Sequence, residues 1–292
     1  MTDDAWFAGL DPADRETAAG RIREGSADAP ADWPAMAVET GFAADEDDYY
    51  DRLREATIDA GRSAVDERER ADDQQLVHAV RAMDDCRRQV NELAERLAEW
   101  AGSRYGETGA DDAAGVAYAR EVASREAETA LDRRIVGLAR RVVALDDEAD
   151  DLRAFVETSA ADVAPNLTML AGPVLAARLV ALAGGLEDLA KMPSGTVQVL
   201  GAEDALFAHL RGHAPSPKHG VIFTHEFVRG TRPEDRGSAA RALAGKLSIA
   251  ARIDHYAGDR RESVHEDLRE RMETIRARAD EGAADSTEGN DE

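Results

Sequence analysis

From Leu131 onward an apolar residue returns at Ile135, Leu138, Val142, Leu145, Ala149, Leu152 and Val156, in unbroken steps of four and three. Four heptads of this kind predict a long helix with a coiled-coil seam, one stripe wide, that has to be covered by another helix. An upstream partner is present. Between about residues 48 and 101, Leu76, Val80 and Met83, then Cys86, Val90, Leu93, Leu97 and Trp100, keep the same spacing with one shift of phase, and charges fill the other faces. Residues 102–115 hold four glycines and two aspartates, which predicts a reversal and so an antiparallel helical hairpin. Such a hairpin is thin. A second copy of the chain is expected to complete the burial of Leu131, Ile135, Leu138, Val142, Leu145, Leu152 and Val156.

The pattern changes at Ala164-Pro165, where apolar content rises and the segments shorten. Helices are expected over 167–191, 196–211 and 236–256, with a Pro/His/Gly-rich loop over 212–233. Within it Val221-Ile222-Phe223 reads as a strand or a buried loop. Val264, Leu268, Met272 and Ile275 predict one more amphipathic helix. Ahead of the hairpin, Trp6, Phe7, Trp33, Met36, Val38 and Phe42 are sparse anchors of a small domain with little periodicity. The expected organisation is mainly α: an N-terminal domain over 1–60, a coiled-coil dimerisation region over 61–160, an all-helical domain over 161–279 and a disordered acidic tail over 280–292. The apolar run from Met169 to Leu186 is broken by Pro173 and Arg178, which suits a buried helix better than a membrane span. The first residues show no basic-then-apolar leader, so a cytoplasmic protein is expected.

Charge first argues against nucleic acid, since Asp and Glu outnumber Lys and Arg by 60 to 36 and the net charge is −24. Two details change this. Only three basic residues are lysines, and an acidic, alanine-rich, lysine-poor chain suggests the molar-salt cytoplasm of an extreme halophile, where screening shrinks the Debye length to roughly 3 Å. The second detail is location. Residues 165–258 carry ten basic against eight acidic residues, and all three lysines (Lys191, Lys218, Lys246) lie there.

Candidate chemistry is confined to that window. No nucleophile elbow, phosphate-binding glycine loop or dinucleotide fingerprint occurs, so no catalytic residue and no cofactor is expected. The lone Cys86 reads as a buried apolar thiol. His209 and His213 stand four apart, but Gly212 and Pro215 interrupt the helix, and surface histidines are expected there, with no metal. Lys218-His219-Gly220 follows a proline-stiffened approach. An ammonium, an imidazole and free backbone N–H groups suit a phosphate or an unstacked base, with Gly220 allowing close approach. Arg236 opens a helix that also carries Arg241 and Lys246, and a helix N-terminus offers N–H groups to an anion.

The stretches APNLTMLAGPVLAARLVALAGGLEDLAKMPSGTVQVLGAEDALFAHL, PKHGVIFTHEFV and RGSAARALAGKLSIAARIDHYAG closely resemble the Nop domain of archaeal and eukaryotic box C/D ribonucleoprotein scaffolds and a spliceosomal relative. LVHAVRAMDDCRRQVNELAERLAEW resembles the family's segment ahead of its coiled coil. The resemblance implies a scaffold, not an enzyme, for guide-directed ribose 2′-O-methylation. Its implied partners are a box C/D guide RNA, a kink-turn-binding ribosomal-protein-like subunit, a fibrillarin-type methyltransferase and a second copy of the chain. It implies RNA contacts at Lys218, His219, Arg236, Arg241 and Lys246, and a joint protein–RNA interface at Gly201, Ala202, Glu203 and Phe207. Asp204, Ala208 and Ser238 stand where the family pattern has cations. The competing expectation is a dimeric coiled-coil adaptor with weakened or lost RNA binding.

Overall fold

The computed structural model describes residues 5–26, 31–106 and 115–288, and every element among them is helical. The chain divides into two compact units, residues 1–71 and 72–292. The first holds α1 (Arg15–Glu24), α2 (Trp33–Glu39) and α3 (Glu46–Arg70). Each begins on an aspartate: Asp14 accepts from the Thr17 N–H at 3.1 Å, Asp32 from Ala35 at 3.2 Å and Asp45 from Asp48 at 2.8 Å. A carboxylate there satisfies a donor that the first helical turn leaves without a partner. Phe7, Phe42 and Tyr49 form the core, and the Trp6 indole donates to the Tyr49 hydroxyl at 3.3 Å. Val38, expected as an anchor, is exposed. Arg15 pairs with Asp59 and Arg23 with Glu67, tying α1 along α3. Helix α3 runs unbroken past residue 60, where a boundary was expected, and the unit ends at Ala71.

In the second unit α4 (Asp72–Tyr105) and α6 (Ala130–Val163) are 34 residues each, about 50 Å at 1.5 Å per residue. They are antiparallel. Arg87 near the middle of α4 pairs with Asp150 far along α6, and Arg104 at the end of α4 bonds Asp132 at the start of α6. Of the expected reversal, 107–114 lie outside the described residues. After it comes α5 (Val116–Ala123), a helix the periodicity did not announce, which packs Tyr118, Ala119 and Val122 on both long helices.

The seam on α6 splits into two rows. Ile135, Val142, Ala149 and Val156, seven apart, are fully buried within the chain. Leu131 is 43% exposed, and Leu138, Leu145 and Leu152 are only half-buried. The expectation that a second copy would complete the burial of Ile135, Val142 and Val156 is therefore corrected: the chain's own helices cover that row. On α4, Cys86 is half-buried and Trp100 is 40% exposed, whereas Ala94 and Ala101 fill the contact. Alanines take those places because two helices approach closely where side chains are small.

The foot of the hairpin is part of a larger core. Leu76, Val80 and Met83 of α4 and Val156 and Ala160 of α6 pack with α7 (Pro165–Ala171), α8 (Pro173–Ala183), α9 (Leu186–Lys191), α10 (Ser194–Val199) and α13 (Arg236–Tyr256). Polar ties fix this junction: Asp73 caps α9 at the Leu186 N–H (2.9 Å), Gln74 donates to Gly184 (3.0 Å), and Arg178 Nε donates to Asp84 (3.0 Å). Helix α13 is the central element. From its last turn the buried Asp254 carboxylate accepts from the Asn166 N–H (2.9 Å), the Asn166 amide (2.6 Å) and the Leu167 N–H (2.8 Å), closing the start of α7 across 88 residues of sequence. Helix α14 (Ser263–Glu288) covers α13 with Val264, Leu268, Met272 and Ile275. It continues to Glu288, so most of the segment expected as a disordered tail is helical. Its alanines favour helix, and no proline interrupts them; 289–292 lie outside the described residues. Among the described residues no single helix is long and apolar enough to cross a membrane.

A cation and aromatic cluster at the 218–236 loop

Residues 221–224, expected as strand or loop, form a 3-10 turn, η1 (Val221–Thr224), that drives Ile222 fully into the core. Its anchoring explains the glycine before it. A Cβ on Gly220 would lie 2.0 Å from the Leu200 carbonyl oxygen, and the Gly220 and Val221 N–H groups already donate to Gln198 and Leu200 at 2.9 and 2.8 Å. The close approach expected at Gly220 is thus to the chain's own backbone, and these N–H groups are not open to an anion. The same holds at the start of α13. Arg236 and Ser238 donate their N–H groups to Arg232 and Asp235 at 3.1 and 2.9 Å, because a turn leads into the helix and uses them. Anion binding here falls to side chains.

Two of those side chains converge on one ring. His219 stacks on Phe223 at 4.6 Å and 20°, and the Arg236 guanidinium lies over the same ring at 5.4 Å. Arg236 Nε donates to the Thr231 carbonyl at 3.1 Å, which fixes its reach. The Lys218 stem passes 3.8 Å from where a Gly237 Cβ would stand, and its ammonium is exposed. Partial burial pushes the His219 imidazole below the ordinary histidine range, and Arg236 and Lys218 push it the same way. At neutral pH the cluster therefore has two permanent cations and a neutral imidazole on an aromatic shelf. This suits phosphate plus an unstacked base.

The other expected cations are elsewhere. Lys246 pairs with Asp267 of α14 at 2.7 Å. Ten residues past Arg236, it lies about 15 Å farther along α13, and it points about 140° around the helix from Arg241. Arg241 is exposed on α13. Gly201, Ala202, Glu203 and Phe207 belong to α11 (Glu203–Leu210) and its approach. Gly201 takes φ +81°, and its N–H donates to Glu203 at 2.8 Å. No residue of α11 is buried, and Phe207 and Leu210 are 56% and 71% exposed. Asp204 is exposed on the same helix. His209 Nδ1 donates to the Ala214 carbonyl (3.0 Å), a local loop tie, and His213 is exposed.

Sequence reasoning missed His225. Its Nδ1 accepts the Phe227 N–H at 3.1 Å, so Nε2 carries the proton donated to the Leu170 carbonyl at 3.0 Å. It also missed Phe223 as the shelf. Spacing held the signal for that contact: four residues separate it from His219.

The Nop family, described as "snoRNA binding domain, fibrillarin", matches residues 72–277, nearly the extent of the second unit. A NOP5 family protein of Methanocaldococcus jannaschii is 49% identical over 142 residues, which is 49% of this chain and 34% of that protein. Nucleolar protein 58 of Yarrowia lipolytica is 33% identical over 221 residues, 64% of this chain and 43% of that one. The matches thus span less than half the length of these relatives. A crystal structure of a fibrillarin/Nop5p complex contains a chain similar at TM-score 0.53 and 26% identity, over 93% of this chain and 98% of that one.

Proposed function

This chain belongs to the Nop family, and on that premise we propose that it is the scaffold subunit of a box C/D guide ribonucleoprotein for ribose 2′-O-methylation. The scaffold makes no bond itself; the methyl transfer belongs to a fibrillarin-type partner. The observation that carries the reading is the meeting of His219 and Arg236 on the Phe223 ring, with the Lys218 stem against Gly237 at the start of α13, within the family-matched unit. Likeness to a chain solved in complex with fibrillarin supports the methyltransferase as partner.

The finer parts of the proposal rest on particular surfaces. The exposed Phe207 and Leu210 on α11, beside Asp204 where a cation was expected, favour a protein neighbour carrying apolar surface, and we assign this helix to the kink-turn-binding subunit. The half-exposed leucine row on α6 supports a homodimer. A cytoplasm at high salt is consistent with −24 net charge and three lysines; there counterion release adds little, and shape and hydrogen bonds carry RNA binding.

The test is reconstitution in molar KCl with a box C/D guide RNA and a kink-turn protein. The chain is expected to join that complex, and His219→Ala is expected to weaken assembly more than Arg260→Ala, outside the cluster. Failure to join overturns the scaffold reading and leaves the coiled-coil adaptor. Equal titrations for the two variants remove the site.

A further inference from the structure

Behind Phe223, on the side of the 3-10 turn that meets the hairpin, lies an open groove of about 640 Å³. Its apolar surface comes from Val80 of α4, Leu182 of α8, and Val221 and Phe223 of η1. Gly201 keeps it open: a Cβ there would press to 3.2 Å on Leu182 and 3.3 Å on Val221. The rim is polar and held in place. Arg81 donates to the Ala181 carbonyl at 3.1 Å, and Arg178 is bound by two donors to Asp84. A guanidinium has five N–H donors, so both arginines keep donors to spare, and the Asp84 carboxylate keeps lone pairs.

We propose that this groove receives one unstacked nucleobase of the RNA whose backbone lies on Lys218 and Arg236. The inference rests on the RNA-binding reading above and assigns a base subsite to it. Three features select this occupant. The groove is continuous with the cation cluster through Phe223, which carries His219 and Arg236 and also lines the groove. A base has a flat apolar face and an edge of mixed donors and acceptors, matching an apolar floor with both arginine donors and a carboxylate at the rim. The rim is already ordered by its own hydrogen bonds, so a base meets fixed partners and little side-chain freedom is lost. RNA bound this way would lie across the foot of the hairpin, contacting α4 and α8 as well as the 218–236 loop.

The test uses the full chain, a kink-turn protein, a fluorescein-labelled box C/D kink-turn RNA, and a set of the same RNA with one abasic nucleotide at each successive unpaired position. Wild type is expected to lose roughly tenfold in affinity at one position. Leu182→Trp, at a site already 44% exposed, fills the groove; it is expected to bind the intact RNA roughly tenfold more weakly and to be indifferent to that abasic substitution. An unchanged circular dichroism melt shows that the variant is folded. A photo-crosslinking residue at position 182 is expected to join RNA. If Lys218→Ala and Arg236→Ala weaken binding while Leu182→Trp keeps the wild-type abasic profile, the groove proposal alone is overturned. A crosslink to a second copy of the chain or to the kink-turn protein overturns it too. If wild type binds no RNA, or the two cation variants bind as wild type does, the RNA reading falls with it.

Discussion

Along α6 one row of the seam is sealed against the chain's own helices while the leucine row beside it keeps contact with solvent. Along α13 nearly every turn buries something, from Ala239 and Leu243 to Ala251 and Asp254, and the closing contact is a carboxylate. The hairpin is built from local periodicity and leaves apolar surface for a partner. The module at its foot is built from contacts nearly a hundred residues apart and leaves polar and aromatic groups for a ligand. A two-helix element cannot bury two rows, whereas a core bounded by helices on every side can enclose even a charge, provided that every oxygen finds a donor.

The largest expected difference comes from that charge. Asp254→Ala strands two backbone N–H groups and one of the two Asn166 amide hydrogens in the core, and should cost about 3 kcal/mol in chemical denaturation, with α7 exposed to hydrogen exchange first. Loss under about 1 kcal/mol would show that α7 is held by packing alone. Gly220→Ala forces a Cβ onto the Leu200 carbonyl and should cost about 2 kcal/mol and lower RNA affinity through the displaced 218–219 segment. In the hairpin, Val142→Ala should cost about 2 kcal/mol, and the paired change Leu138→Ala, Leu145→Ala clearly less per methylene. The leucine pair should nonetheless abolish self-association in light scattering. A wild-type chain that scatters only as monomer at micromolar concentration would remove the dimer.

The smallest effects separate the two regions by pH. His225 is held neutral by burial, below its ordinary value of 6.5. Unfolded chain therefore binds a proton first, and the contribution of His225, complete above about 6.5, is lost as pH falls below it. His225→Gln should flatten that limb in module stability. In the hairpin, hydrogen bonds from Thr129, then from Arg104, hold Asp132 at about 2 instead of 3.8. Its contribution is present above 3.8 and is lost only as pH falls through about 2. Asp132→Asn should thus alter hairpin stability at neutral pH and lose its difference from wild type near pH 2.

The long helices were legible in the residues, whereas 167–191 and 196–211, each expected as one helix, are broken into α7, α8 and α9 and into α10 and α11. Steps of four and three located α6 and most of α4, and the texture change at Ala164-Pro165 marks the start of α7, inside one compact unit that runs from residue 72. Periodicity reports which face of a helix is apolar, because that depends only on 3.6 residues per turn. Which other helix covers the face is a long-range matter. So α5 went unseen, the seam divided into a covered and an uncovered row, and the 3-10 turn at 221–224 was read as strand or loop. The same limit governed the site. Lys218, His219 and Arg236 were named from residue type, but only packing brought His219 and Arg236 to one ring, laid Lys218 against Gly237, tied Lys246 to Asp267, and turned the N–H groups of Gly220 and Arg236 to internal acceptors. Residue type sets which chemistry is possible. Where donors are already used, and which cations share a surface, depends on contacts between segments far apart in the chain, and the tertiary structure alone decides it.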